Sequence, residues 1–177
     1  VLTNATLPAV TVDGFAGTAG REGLIGADIV IANGKIEALL PAGTAPHDLP
    51  AADLDGGMAW PRFADMHTHL DKGHIWDRRP NPSGDFMGAL QAVKADREAR
   101  WTAADVKARM EFSLRTAYAH GTSLIRTHLD SLAPQHRISF EVFAEVRDAW
   151  AGKIDLQAAA LFPFDQITEL TFFKDLV

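Results

Sequence analysis

Residues 61–74 read PRFADMHTHLDKGH. The run RFADMHTH goes from apolar to polar over the length of a short strand, then gives way to a polar loop. It places His67, His69 and His74 beside Asp65, Asp71 and Lys72. A strand has a period of two, so His67 and His69 point to the same side. With backbones about 7 Å apart, two such imidazoles can converge on one ion. Neutral imidazole suits zinc, iron and nickel. A lone His-x-His also occurs on ordinary surfaces, so its surroundings must decide.

Upstream, residues 1–60 read as a small β-rich segment. In DIVIANGKIEAL, residues 28–39, two short apolar strands flank Asn33-Gly34. That pair supplies the positive φ of a tight type I′ hairpin turn. Gly/Pro/Ala-rich connectors surround it, and the segment is too short and turn-rich to bury much alone.

Downstream, residues 61–177 alternate strand and helix. Helical patterns cover 84–100, 101–121 and 134–152. In the second, Thr102 is placed to cap the helix, Val106, Met110, Leu114 and Ala117 share a face, and Gly121 can end it. TSLIRTHLD (122–130) and KIDLQAAALFPF (153–164) read as further strands. The order of strands and helices is that of a parallel α/β fold. Polar groups gather at the C-terminal ends of its strands: His67 and His69, His128 and Asp130, with Gln157 nearby. In a (β/α)8 barrel that end carries the active site. The chain shows no sequence repeat and no low-complexity tract. A whole barrel takes about 250 residues. Only three strands are legible after residue 61, so the barrel is expected to be incomplete in this chain.

Composition narrows the chemistry. The 177 residues are 47% apolar and 23% charged, with no cysteine and a net charge of −6. A metal must therefore sit on His and carboxylate ligands. The acidic balance argues against nucleic acid. No apolar run approaches the roughly 18 residues that span a membrane, and the N-terminal stretch does not look like a signal peptide. A cytoplasmic protein is expected, and an assembly of identical chains.

The order of motifs resembles the amidohydrolase superfamily: a β-rich head, then Gly-Gly-x-x-x-Pro-x-apolar-x-Asp-x-His-x-His. HTHLDKG, IRTHLD and IDLQ are similar to segments of its cytosine deaminase-like branch. The resemblance covers nearly the whole chain and implies the N-terminal part of a TIM-like (β/α)8 barrel preceded by a small β-sandwich segment. It implies that His67 and His69 bind one divalent metal, zinc or iron. Gln157 matches a glutamine that hydrogen-bonds the substrate ring, Phe86 an apolar pocket position, and His128 a group at the barrel mouth. The implied activity is hydrolytic deamination of cytosine or a similar nitrogen heterocycle through a metal-bound hydroxide. The substrate would be a small heterocycle with water. The acid/base glutamate, a third histidine and an aspartate ligand come from later strands in the family and cannot be assigned here. QAAALFPF lacks the family's last glutamine, which keeps other cyclic amides and triazines open. A truncated, non-catalytic binding or assembly protein is the reading from a different class.

Blander readings stand beside these. Asp65 can simply brace its strand, Asp71 and Lys72 can be a solvated loop pair, and His74, His120 and His136 can be surface groups.

Overall fold

In a computed structural model the described residues are 1–15, 17–168 and Lys174. The last sequence segment, ITELTFFKDLV, lies largely outside them. The chain divides into two compact units, Val1–Pro61 and Arg62–Val177.

The first unit is built on one sheet. Its strands are β1 (Leu2–Pro8), β2 (Leu24–Ala32), β3 (Lys35–Pro41) and β4 (Ala52–Asp53), in the order β3-β2-β1-β4. β2 and β3 form the expected hairpin. Ala32 pairs with Lys35, and Asn33 and Gly34 turn the chain with φ of 52° and 73°. Alternating residues bury one set of side chains: Ala5 and Leu7 from β1, and Ile25, Ala27 and Ile29 from β2. Val12, Phe15, Leu54 and Ala59 pack against them. Connectors thus cover the apolar face. Among the described residues this unit holds a single four-stranded sheet, as a small β-rich segment is expected to.

Asp28 is the polar anchor of this unit. It is fully buried on β2. Its Oδ1 accepts the Asn4 N–H at 2.9 Å, and its Oδ2 accepts those of Gly43, Thr44 and Ala45 at 2.9, 3.1 and 3.1 Å. One carboxylate therefore ties the irregular part of β1 to the turn after β3. These bonds, led by that of Asn4, hold its pKa below the usual 3.8 against the opposing cost of burial.

The second unit runs β5 (Phe63–Thr68), α1 (Phe86–Arg100), α2 (Ala103–Ala119), β6 (Thr122–Asp130), α3 (Gln135–Ala149) and β7 (Asp155–Leu161). Its strands are parallel, in the order β5-β6-β7. Thr102 caps α2 by accepting the Asp105 N–H at 3.2 Å. Val106, Met110 and Leu114 are fully buried. They pack with Val142, Phe143 and Val146 of α3 against Ile125, Leu129 and Leu156 of the sheet. α2 and α3 thus cover one face of β6 and β7. Alternation sends Arg126, His128 and Gln157 to the opposite, inner face. Among the described residues the sheet holds three parallel strands and does not close into a barrel.

Candidate active site

The same four residues begin at the last residue of β5 and close β6. Thr68-His69-Leu70-Asp71 and Thr127-His128-Leu129-Asp130 both read THLD. Thr68 pairs with Thr127 in register, so the two copies lie side by side. This corrects the expectation that the chain has no repeat: the repeat is short, but it builds the site. Leu70 and Leu129 go into the core. The Leu70 N–H donates to Thr127 Oγ1 at 2.9 Å, and the Asp130 N–H donates to Asp71 Oδ2 at 2.8 Å.

The histidines form a cluster at this strand end. Ring centroids lie 5.2 Å apart for His67 and His69, 4.3 Å for His67 and His128, and 5.8 Å for His69 and His128. His69 Nδ1–H donates to the His128 backbone carbonyl at 3.0 Å. A carbonyl only accepts, so the proton is on Nδ1, and in the neutral ring Nε2 keeps its lone pair. Burial, the largest influence, lowers the His69 pKa below 6.5, and Lys72 and His67 push the same way. A neutral, oriented imidazole with a free Nε2 is what metal ligation needs. The His67/His69 pair therefore fits a divalent metal as a partial donor set. Among the described residues, no three His, Asp or Glu side chains are arranged to hold a metal together. His128 adds no third ligand in this arrangement, and its buried Nδ1 has no hydrogen-bond partner.

A buried ionic network supports the cluster. Asp130 Oδ1 accepts from Lys72 Nζ at 2.8 Å, and Oδ2 accepts from Arg97 Nη1 at 2.7 Å. Asp71 lies fully buried behind it. Its Oδ2 also accepts from Ser139 Oγ at 3.1 Å, while Oδ1 has no partner. Burial, reinforced by the nearby Asp130 charge, pushes the Asp71 carboxyl up to about 6. Arg109 donates to the Asp71 carbonyl. Asp71 and Lys72 are thus not a solvated loop pair: each has its partners on β6 or α3. The reading of the loop failed because both partners lie far along the chain.

The remaining sequence candidates fall on different sides. Asp65 does brace its strand, accepting the His67 N–H on Oδ1 at 3.1 Å. His74 and His120 are exposed, bonded to Ser113 Oγ and to the Thr116 carbonyl. His136 is buried near the start of α3, against the surface expectation. Phe86, the first residue of α1, is exposed and reaches the histidine cleft. Gln157 shares the inner face with His128 but is registered with Arg126, one pleat period toward the amino ends. It is not among the cleft-lining residues.

The cleft measures about 610 Å³. His67, His69, Lys72 and Asp130 form its strand-end wall. Phe86, Ala89, Leu90 and Val93 of α1 face Leu132 and the segment Leu161, Phe162 and Pro163. Most of its wall is apolar, with the polar groups gathered at the strand ends. An apolar cleft with a few convergent polar groups is the usual make-up of a small-molecule site.

No protein-family model matches the chain. It is 71% identical over 176 residues to a pterin deaminase of Rhizobium rhizogenes, across 99% of this chain and 40% of that protein. Its structure is similar to that of 5-methylcytosine deaminase from Klebsiella pneumoniae liganded with 5-fluorocytosine. There the TM-score is 0.66 and the identity 25%, over 90% of this chain and 35% of the other. The fold also matches N-isopropylammelide isopropylaminohydrolase from Burkholderia multivorans, with a TM-score of 0.62 at 23% identity, over 98% and 42% of the two chains. The chain therefore spans about two fifths of the curated relative that it matches. Over almost its whole length the chain is thus similar to part of a pterin deaminase, and its fold to part of a 5-methylcytosine deaminase.

Proposed function

We propose that the protein carrying this chain is a metal-dependent hydrolase that deaminates a nitrogen heterocycle, and that the heterocycle is a pterin. The carrying observation is the 71% identity to a pterin deaminase across almost every residue here. The cleft agrees, because its long apolar wall on α1 suits a two-ring plane. In the reaction, water adds to the ring carbon bearing the amine. The C–N bond breaks, ammonia leaves, and the ring keeps the oxygen as a carbonyl.

His67 and His69 would hold one divalent metal, zinc or iron, which lowers the pKa of water toward roughly 7 when bound. Burial keeps His69 neutral, and the His128 carbonyl aims it. Phe86, Leu90 and Val93 would flank the ring and exclude solvent. His128 would stand behind the pair, its ring packed against that of His67. Gln157 would hydrogen-bond the ring's amide edge, reaching along the inner face from one pleat below His128. The general acid/base is not assigned to any residue of this chain. The second reading, a cytosine-like ring, is favoured by the 25% identity to 5-methylcytosine deaminase.

The test is ammonia release from pterin and from cytosine by the full-length protein, with bound metal measured by elemental analysis. Pterin is expected to exceed cytosine in kcat/KM by on the order of 100-fold, within the range that a difference in hydrophobic pocket contact supplies. A larger cytosine value, or no ammonia from either ring by metal-loaded protein, overturns the pterin reading. His67→Ala and His69→Ala are each expected to lower bound metal well below the wild-type content. Unchanged metal content in both variants would remove the pair from the metal site.

A further inference from the structure

The backbone at Asp71 is held from outside the cleft. Arg109 on α2 is buried, and its Nη1 donates to the Asp71 carbonyl. Its Nε donates to Asp105 Oδ2 at 3.1 Å, and its Nη2 lies 2.9 Å from the same oxygen. Its guanidinium carbon stands 4.7 Å from the centroid of the Trp101 ring. One side chain is thus fixed by a carboxylate, an aromatic ring and a backbone carbonyl. Asp105 is held in turn. It accepts from Arg78 Nη1 on Oδ1 at 2.7 Å and from Nη2 on Oδ2 at 2.9 Å. Arg78 Nη2 and Trp101 Nε1 both donate to Asp96 Oδ2 of α1 at 2.8 Å. The connection from β5 to α1 therefore meets α2 at Asp71 and at Arg78, and both contacts run through the i,i+4 pair Asp105 and Arg109.

This arrangement is not an economical way to stabilise a fold. Burial lowers the pKa of Arg109 against the pull of Asp105, so its charge is held at a cost. Well-packed apolar residues of similar volume often replace a buried ion pair with no loss of stability. What an apolar side chain cannot supply is the N–H that meets the Asp71 carbonyl. Asp71 follows His69 by two residues and precedes Lys72, and both of those neighbours line the cleft while Arg109 does not. The Asp71 side chain also accepts the Asp130 N–H from β6. We propose that Arg109 is a positioning residue of the site, a clamp from α2 on the Asp71 carbonyl that sets the backbone from which His69 and Lys72 enter the cleft. The functional half of this inference rests on the deaminase reading given above; the clamp itself does not.

The experiment compares Arg109→Met, Arg109→Lys and the core variant Leu114→Ala with the wild type, all as full-length protein. Methionine keeps an apolar stem and removes every donor. Lysine keeps the charge but lacks the rigid fork, and it stands in if Arg109→Met fails to fold. The first readout is amide hydrogen exchange. It sets the Leu70 and Asp130 N–H groups, bonded to Thr127 Oγ1 and Asp71 Oδ2, against those of Met110 and Val146 inside α2 and α3. An Arg109 variant is expected to raise the ratio of these rates ~10-fold, a local opening and not a global one. Leu114→Ala weakens the same unit from its core and should leave the ratio at the wild-type value. The second readout is the split between kcat and KM on whichever ring, pterin or cytosine, the wild type deaminates. The Arg109 variants should lose ~10-fold or more in kcat with KM little changed, as misplacement of reacting groups does, while Leu114→Ala keeps both at a temperature where it is folded. An unchanged exchange ratio in the Arg109 variant that folds, or an equal rise in Leu114→Ala, overturns the clamp. A raised ratio with kcat intact overturns the positioning role. If the wild type deaminates neither ring, the deaminase reading fails, and the exchange ratio alone decides whether Arg109 holds the strand end.

Discussion

Single residues decide how each unit is held. Asp28 gathers four backbone N–H groups with its two oxygens. Asparagine has one acceptor oxygen and would turn an N–H₂ toward at least one of those donors. Asp28→Asn is therefore expected to cost about 2 kcal/mol or more at pH 7, measured by urea denaturation. The sign with pH follows from the lowered pKa. The folded state prefers the ionised form, so its stabilisation is complete above the unfolded value near 3.8 and is lost as pH falls through the folded value. The difference between wild type and Asp28→Asn should therefore shrink from pH 7 to pH 3. A gap that is the same at both pH values would show that the carboxylate charge is not what holds the turn.

Asp130 carries the corresponding burden in the second unit. It compensates Lys72 and Arg97 at side-chain exposures of 17% and 15%. Asp130→Ala would leave two largely buried cations facing each other across the cleft. Removing one partner of a buried ion pair typically costs about 3–5 kcal/mol. The expected outcome is a loss toward the lower end of that range, because both cations keep some access to water. Thermal or chemical denaturation of the full-length protein checks it, and a change within about 0.5 kcal/mol, the usual size at uninvolved surface sites, would contradict the network.

At the level of elements, periodicity carried most of the information. β6 is Thr122–Asp130 as the apolar run indicates, and α2 starts after Thr102 with Val106, Met110 and Leu114 inward. The hairpin at Asn33-Gly34 was legible because only a few residues supply two successive positive φ values. These features are local, so a window of sequence contains their cause. The cap makes a quantitative case: Thr102→Ala removes the acceptor of the Asp105 N–H and should cost about 1 kcal/mol, read as a lower Tm with an unchanged far-ultraviolet spectrum. The candidate site was legible only in part. The His67/His69 pair could be read from strand alternation, but Asp71 and Lys72 looked solvated because their partners lie 59 and 58 residues away on β6. His136 looked superficial because nothing local shows which face of α3 meets the sheet. The paired THLD motifs were the available signal. Two equal tetrapeptides at the ends of predicted neighbouring strands place like residues side by side, which puts two aspartates together and calls for cations nearby.

For the molecule as a whole, the open sheet of the second unit sets the expected behaviour. Among the described residues β5 and β7 each pair with β6 alone, so each has one unpaired edge. β5 carries Phe63 and Met66 with half or more of their surface exposed, at 51% and 62%. An unpaired parallel edge beside exposed apolar side chains is a template for association with further strands. In a protein of the relatives' full length, more chain is available to meet those edges. The 177 residues made alone should therefore self-associate, with a mass in light scattering that rises with concentration. Placing charge on the strand, as Met66→Lys, should lower that mass, because a lysine on an edge strand opposes pairing. The full-length protein should show a mass independent of Met66→Lys. A concentration-independent monomer of the 177 residues would mean that the open sheet is protected by residues of the chain itself, and the exposure at Phe63 and Met66 would then have no consequence for association.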